Sequence, residues 1–361
     1  MTQRKSFEIF SKKAIEGTNK VPQEIRSIVI HKFEKAAHAP GTVVARHEAI
    51  AITPVVQKLV DQVHELYSHR TSKRHGRFEV DENNYPMPRY VRQWYVDGAR
   101  DFLATTIDMM TTLKDRADRT QFAKGGYVLI AHLSNGAREF LLVVQLTDRA
   151  GSAIDGALNV VESVYLDVDD LRVAGRVDLT GWQTGDVDRY VSFLKGKGDV
   201  SDYFRQFLGC NTITDPAGDT RSLFRALRHF AREQALQPDE KAQFMDEAIN
   251  ICADLAERNE ELSLDALANR LRPHDPELLK QTFARDEFRL TDGLVPSKKE
   301  ANKQRSFRGR SAGWAVEIQR TALRTQEVQI DQANRRITLN EVPEPLLQKL
   351  LAWTADEPEQ V

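Results

Sequence analysis

The chain has 361 residues, 41% of them apolar and 29% charged, with 51 Lys/Arg against 53 Asp/Glu. This length exceeds one ordinary core and points to two or three domains, while a net charge of −2 excludes a histone-like polycation. Cys210 and Cys252 build neither a disulfide framework nor a local zinc site. The longest apolar run, residues 140–144, falls far short of the roughly 20 residues a membrane helix needs. The first residues, MTQRKSFEIFSKK, lack the apolar stretch of a secretory signal, so a cytosolic, membrane-free protein is expected.

Residues 1–22 read as a basic leader, flexible or a short helix. Ile25, Ile28 and Ile30 mark one candidate strand, and Val43, Val44 and Ala45 another. Thr53 before Pro54 has the form of an N-cap followed by proline at the first helical position. Val56, Leu59, Val60, Val63 and Tyr67 then recur at helical spacing, which predicts an amphipathic helix over 54–69. Residues 81–88 form a loop, and 89–117 a long helix. Strands at 127–133 and 140–146 are joined through Asn135 and Gly136, which tolerate the positive φ of a hairpin turn. Strands at 164–168 and 173–179 extend them into an antiparallel sheet backed by the two helices.

After Trp182 the pattern is helical, with segments predicted at 185–195, 199–208, 219–234, 239–257, 263–271 and 275–284. A basic linker over 291–311 leads to a final module with a strand at 314–318, a hairpin about 332–335, a short helix after Pro343 and an acidic tail. The fold class is therefore α+β: an α+β domain at 23–182, a helical domain at 183–290, and a C-terminal strand and hairpin module at 312–361.

The order of several short motifs resembles one family. Tyr165, Leu166 and Asp167 are followed by Arg176, Val177, Asp178, Leu179 and Thr180 with Trp182. Phe193, Leu194, Lys195 and Gly196 come next, then Phe204 and Phe207, Leu208 and Gly209. Together with the hairpin at 125–143 and the elements at 64–68 and 101–103, this resembles the bacterial nucleoid-associated proteins of the NdpA (YejK-like) type, over roughly residues 25–350. The resemblance implies a soluble bacterial protein that associates with the nucleoid and binds nucleic acid. It supplies no catalytic mechanism.

Charge is unevenly spread. Residues 1–75 carry 13 Lys/Arg against 7 Asp/Glu, residues 151–220 carry 6 against 12, and residues 291–325 carry 8 against 3. Segregation of this kind suits localised basic patches that grip phosphate with little sequence preference. The densest contains Lys298, Lys299, Lys303, Arg305, Arg308 and Arg310, with Phe307 placed to stack on a base. A second holds Arg70, Lys73 and Arg74 beyond the first helix. A third is Lys195 and Lys197 between glycines, where backbone amides can approach a phosphate. Each has a plainer reading, as a solvated linker, a helix C-terminal charge cluster and a structural turn respectively.

No residue set specifies a reaction. Six of the nine histidines lie within 31–75 without ligand spacing. Asp167, Asp169, Asp170 and Asp178 offer the one carboxylate cluster that a Mg²⁺-dependent nuclease would need. Residues 262–283 have the outline of a helix–turn–helix, but the second helix is nearly as acidic as basic and reads better as a packing hairpin. The expected function is weakly selective association with DNA, or RNA, in organising the chromosome, with no cofactor. The alternatives are the nuclease and an adaptor brought to the nucleoid by a protein partner; a homodimer is compatible with either.

Overall fold

In the computed structural model, residues 23–121, 123–196 and 199–355 are described. The expected leader at 1–22, Lys197 and the end of the acidic tail lie outside them. In chain order the elements are β1 (Glu24–Glu34), β2 (Thr42–Val44), α1 (Pro54–His69), β3 (Lys73–Phe78), α2 (Met87–Val91) with a π-turn (Arg92–Val96), and α3 (Phe102–Asp118). Next come β4 (Gly126–Ser134), β5 (Glu139–Ile154), β6 (Val160–Asp167), β7 (Val173–Asp178), α4 (Leu179–Thr184), β8 (Val191–Leu194), α5 (Asp199–Phe207) and β9 (Cys210–Asn211). The helical region comprises α6 (Pro216–Glu233), α7 (Pro238–Arg258), α8 (Leu264–Leu271), α9 (Pro276–Ala284) and α10 (Lys298–Lys303). The chain ends in β10 (Ser306–Arg310), β11 (Ala315–Gln319), α11 (Arg320–Arg324), β12 (Val328–Asp331), β13 (Arg336–Leu339) and α12 (Glu344–Ala355).

The fold is mixed, as expected: helices around a nine-stranded antiparallel sheet of order β2-β1-β4-β5-β7-β8-β3-β9, with β6 on the outer half of β5. The central strands are apolar at nearly every position because both faces are covered. Val128, Ile130, Leu141 and Val143 point to one face, against Met109, Met110 and Leu113 of α3 and Phe204 and Phe207 of α5. Leu129, Ala131, Leu142 and Val144 point to the other, against Val60, Val63 and Tyr67 of α1. The two helices expected to back the sheet thus lie on opposite sides of it. Each buried Val, Leu, Ile, Met and Phe among them contributes about 1.5–3 kcal/mol of apolar burial. A third core, around Leu223, Phe224, Leu227, Phe230, Met245 and Ile249, belongs to the helical region.

Several elements depart from the sequence-based expectation. The long helix over 89–117 is interrupted: Gly98 adopts φ +61° and Asp101 caps a new start at α3, its carboxylate accepting the Ala104 amide at 2.8 Å. No helix spans 185–195; instead β8, buried at all four positions, is inserted between β7 and β3. β3 itself was not expected, because Lys73 and Arg74 read as part of a charge cluster beyond the end of α1. The stretch read as a basic linker carries regular structure, α10 and β10, and α10 packs against α6 and α7.

The strongest family-like motifs turn out to be structural. Phe204, Phe207 and Leu208 are buried under the sheet, and Gly209 takes the left-handed conformation (φ +57°) that ends α5. Arg176 and Asp178 share one face of β7 and hold the helical region: Arg176 pairs with Asp286 at 2.6 Å, and Asp178 with Arg289 at 2.9 Å. Arg189 is paired with Asp219 of α6.

Candidate nucleic-acid interface

The principal basic surface is built on α6. Asp215 caps this helix by accepting the Gly218 amide at 2.9 Å, and Pro216 starts it. Leu223, Phe224, Leu227, Phe230 and Ala231 bury one side in the helical core. The opposite side carries Arg221, Arg225, Arg228 and Arg232, all exposed, at the four- and three-residue steps that form a single stripe on a helix.

Three of these arginines have no ion pair among the described residues. Arg225 donates to Ser222 Oγ (3.4 Å) and the Glu287 carbonyl (3.3 Å), and lies 5.7 Å from the centre of the Phe288 ring. Arg228 donates to the neutral Gln304 at 2.7 Å, and Arg232 lies 3.4 Å from His229 Nδ1. A groove of about 480 Å³ runs between Arg225, Arg228, Arg232 and Phe288. Arg221 alone meets a carboxylate, Glu300, at 3.5 Å. Burial, and then the neighbouring Arg320 guanidinium, lower the pKa of Arg228. Glu287 lines the same groove, and guanidinium forks have the geometry to bind phosphate oxygens.

The basic segment singled out from sequence joins this surface. α10 packs against α6, where its Glu300 meets both Arg221 (3.5 Å) and Lys303 (2.7 Å), and Gln304 accepts from Arg228. Lys299 is exposed with no ion pair among the described residues. Lys298 is paired with Glu257 at 2.8 Å, Lys303 with Glu300 at 2.7 Å and Arg308 with Glu317 at 3.0 Å, while Arg305 donates to Asn250 at 3.0 Å. Arg310 is exposed on β10, and Phe307, half-exposed, has Arg320 5.1 Å from its ring centre.

The other candidates are committed elsewhere. Lys73 is buried, its Nζ donating to the carbonyls of Ser68 (3.0 Å) and Ala284 (2.9 Å), and burial pulls its pKa down to about 8. It cannot reach a phosphate, so its expected role is withdrawn. Arg74 and Lys195 converge on Glu261, at 3.2 Å and 2.8 Å. Arg70 donates to the Leu171 carbonyl at 3.4 Å and lines a cavity of about 530 Å³ with Lys195 and Arg172. These contacts tie β3 and β8 to the helical region.

The carboxylates do not assemble a metal site. Asp178 is buried; Arg138 (2.7 Å) and Arg289 (2.9 Å) both donate to its Oδ2, and its Oδ1 accepts the Gly181 amide. Asp170 is paired with Arg172 at 2.7 Å, and Asp167 lies 4.0 Å from Arg149. Among the described residues no group of three or more His, Cys, Asp or Glu side chains converges on a common point. Nor is α9 free to act as a recognition helix: it packs against α1 and α6, with Leu279, Thr282 and Phe283 buried. No described helix is long and apolar enough to cross a membrane.

A nine-stranded sheet with both faces covered, carrying a helical unit with its own core, places the molecule among mixed α and β proteins. The family model NA37, nucleoid-associated protein YejK, matches residues 29–347. A nucleoid-associated protein of Azotobacter vinelandii is 27% identical over 330 residues, covering 90% of this chain and 97% of the relative. Nucleoid-associated proteins of Metapseudomonas resinovorans and Pseudomonas putida strain F1 are each 26% identical, covering 90% of this chain and 98% of theirs. The chain belongs to this family of nucleoid-associated proteins, and its role is association with the bacterial nucleoid.

Proposed function

We propose that the protein binds the phosphate backbone of DNA through the α6 stripe and the flanking α10–β10 segment, with little sequence preference, and so contributes to chromosome organisation. The observation that carries this reading is the row of Arg225, Arg228 and Arg232, exposed and without ion pairs among the described residues. Lys299, Lys303, Arg305 and Arg310 extend the surface along the chain. On this reading the labour is divided: the sheet, which takes in β8 and β9 beyond residue 182, is the platform, and the helical unit from α6 onward presents the cations. Single-stranded DNA and RNA carry the same phosphate chemistry and compete for the same surface, with Phe307 available for stacking on an exposed base.

The test is binding of the purified chain to duplex DNA, single-stranded DNA and RNA across a salt series. Each neutralised phosphate releases counterions, so affinity falls steeply with salt, and replacing the three unpaired arginines by Ala lowers the logarithmic slope by about 3. An unchanged slope removes α6 from the interface. Absence of binding at low salt leaves recruitment by a protein partner as the remaining route to the nucleoid.

A further inference from the structure

We propose that a cavity between α7 and the β11–α11 junction binds a nucleoside phosphate, with the phosphate on Arg305 and Arg320 and the base edge on Asp254. The cavity measures about 680 Å³, within the roughly 300–1,000 Å³ of small-molecule sites. One wall is α7, where Glu247, Asn250 and Asp254 recur at three- and four-residue steps and so share a face. The other is α11, through Arg320 and Arg324, with Arg305 beside them.

Two of these cations face each other without a counterion. Ser306 pairs with Gln319 across the β10–β11 ribbon, and the Arg320 amide donates to the Arg305 carbonyl at 2.8 Å, so Arg305 and Arg320 stand directly opposite. Like charges so placed repel, and an anion between them removes the repulsion. Neither makes an ion pair among the described residues: Arg305 donates to the neutral Asn250 at 3.0 Å, and Arg320 lies over the Phe307 ring. The Arg320 Nε is buried with no hydrogen-bond partner among the described residues, a cost that a ligand oxygen offsets. Guanidinium forks match phosphate oxygens in bidentate fashion.

The carboxylates of the cavity divide by role. Asp246 is paired with Arg324 at 3.4 Å and Glu247 with Arg270 at 2.8 Å, so both already have cationic partners. Asp254 is exposed, with no hydrogen bond or ion pair among the described residues. It stands one helical turn, about 6 Å, beyond Asn250, the residue that Arg305 holds. An ionised carboxylate only accepts hydrogen bonds, so it selects N–H donors. Guanine presents two adjacent N–H groups to its two oxygens, adenine a single amino group, and uracil one N–H between two carbonyls. A nucleotide therefore satisfies both the arginine pair and Asp254, where an inorganic anion satisfies the arginines alone. Arg225 and Arg232 of the α6 stripe do not line this cavity.

Isothermal titration calorimetry of the full chain, without DNA, tests the site with guanosine, adenosine and uridine diphosphates and with inorganic pyrophosphate. Guanosine diphosphate is expected to bind tightest and pyrophosphate about tenfold more weakly, the difference that hydrogen bonds to a charged group supply. Asp254→Ala should bring guanosine diphosphate down to the pyrophosphate affinity and leave pyrophosphate unchanged. Arg320→Gln should weaken every ligand by about tenfold or more. Asp254→Ala, at an exposed position, keeps the test decisive if Arg320→Gln does not fold. Absence of binding by the natural chain overturns the proposal. So does pyrophosphate or uridine diphosphate binding as tightly as guanosine diphosphate, or natural affinity in Asp254→Ala. A chain that binds duplex DNA but no nucleotide overturns this proposal alone, and one that binds nucleotide but no DNA overturns the α6 reading alone.

Discussion

Arg176 on β7 reaches Asp286, just beyond α9, with Nη2 2.6 Å from the carboxylate, and its guanidinium lies 4.6 Å from the centre of the Phe140 ring. The pair joins the middle of the sheet to the helical unit that presents the basic stripe. Burial alone would raise the pKa of Asp286, but the charges of Arg176 and Lys73 override it and hold the carboxyl well below its usual range.

Asp286→Asn is expected to destabilise the fold by about 1–2 kcal/mol, because the buried Arg176 loses a counter-charge that is itself 45% exposed and partly screened by solvent. Urea unfolding measures this. The folded-state pKa is lowered, so the contribution is present above the ordinary carboxylate value and is lost as pH falls below it. Stability of the natural protein should therefore drop below about pH 4, while the Asn variant is flatter there.

A second pH effect arises from histidine. Burial lowers the pKa of His31 and of His64 to about 4, and holds His75 well below 6.5. These rings fold neutral, so their contribution is full above pH 6.5 and is lost as pH falls from 6.5 toward 4. His64→Gln should remove about 3 kcal/mol of the acid-induced loss in that window, read from unfolding curves at successive pH values.

Lys195 and Arg74 both pair with Glu261, a contact that joins the sheet to the helical unit. Lys195→Ala is expected to leave DNA affinity within about twofold and to cost under about 1 kcal/mol, as a partly exposed ion pair does. A loss of affinity matching that of Lys299→Ala would return Lys195 to the interface.

Gly76 lies in β3 where β8 and β9 approach. A Cβ there would collide with the Asn211 carbonyl oxygen and sit 2.8 Å from Cys210 Sγ. Gly76→Ala should destabilise the protein by about 3 kcal/mol, detectable as a lowered melting temperature. An unchanged melting temperature would mean that β9 can move aside.

Where side-chain spacing and local geometry speak together, sequence was sufficient. Thr53 and Pro54 start α1 where expected and it ends at His69; Gly136, at φ +83°, turns the hairpin between β4 and β5. β3 was hidden because Lys73 and Arg74 read as solvated charges, whereas Lys73 is buried against carbonyl groups over two hundred residues apart in the chain from one another. The stripe at Arg221, Arg225, Arg228 and Arg232 is present in the sequence as helical spacing, but its cations are interleaved with apolar residues, whereas those at 298–310 are nearly contiguous.

Helix starts, turns and the apolar central strands follow from neighbours a few residues apart, so the order of residues alone determined them, and with them the family. Which cations remain available depended on acids distant in sequence: Glu261 holds Lys195 and Arg74, while Arg225, Arg228 and Arg232 form no ion pair among the described residues. Only the tertiary structure decided that, because a cation's availability is set by the charges folding brings within about 4 Å of it.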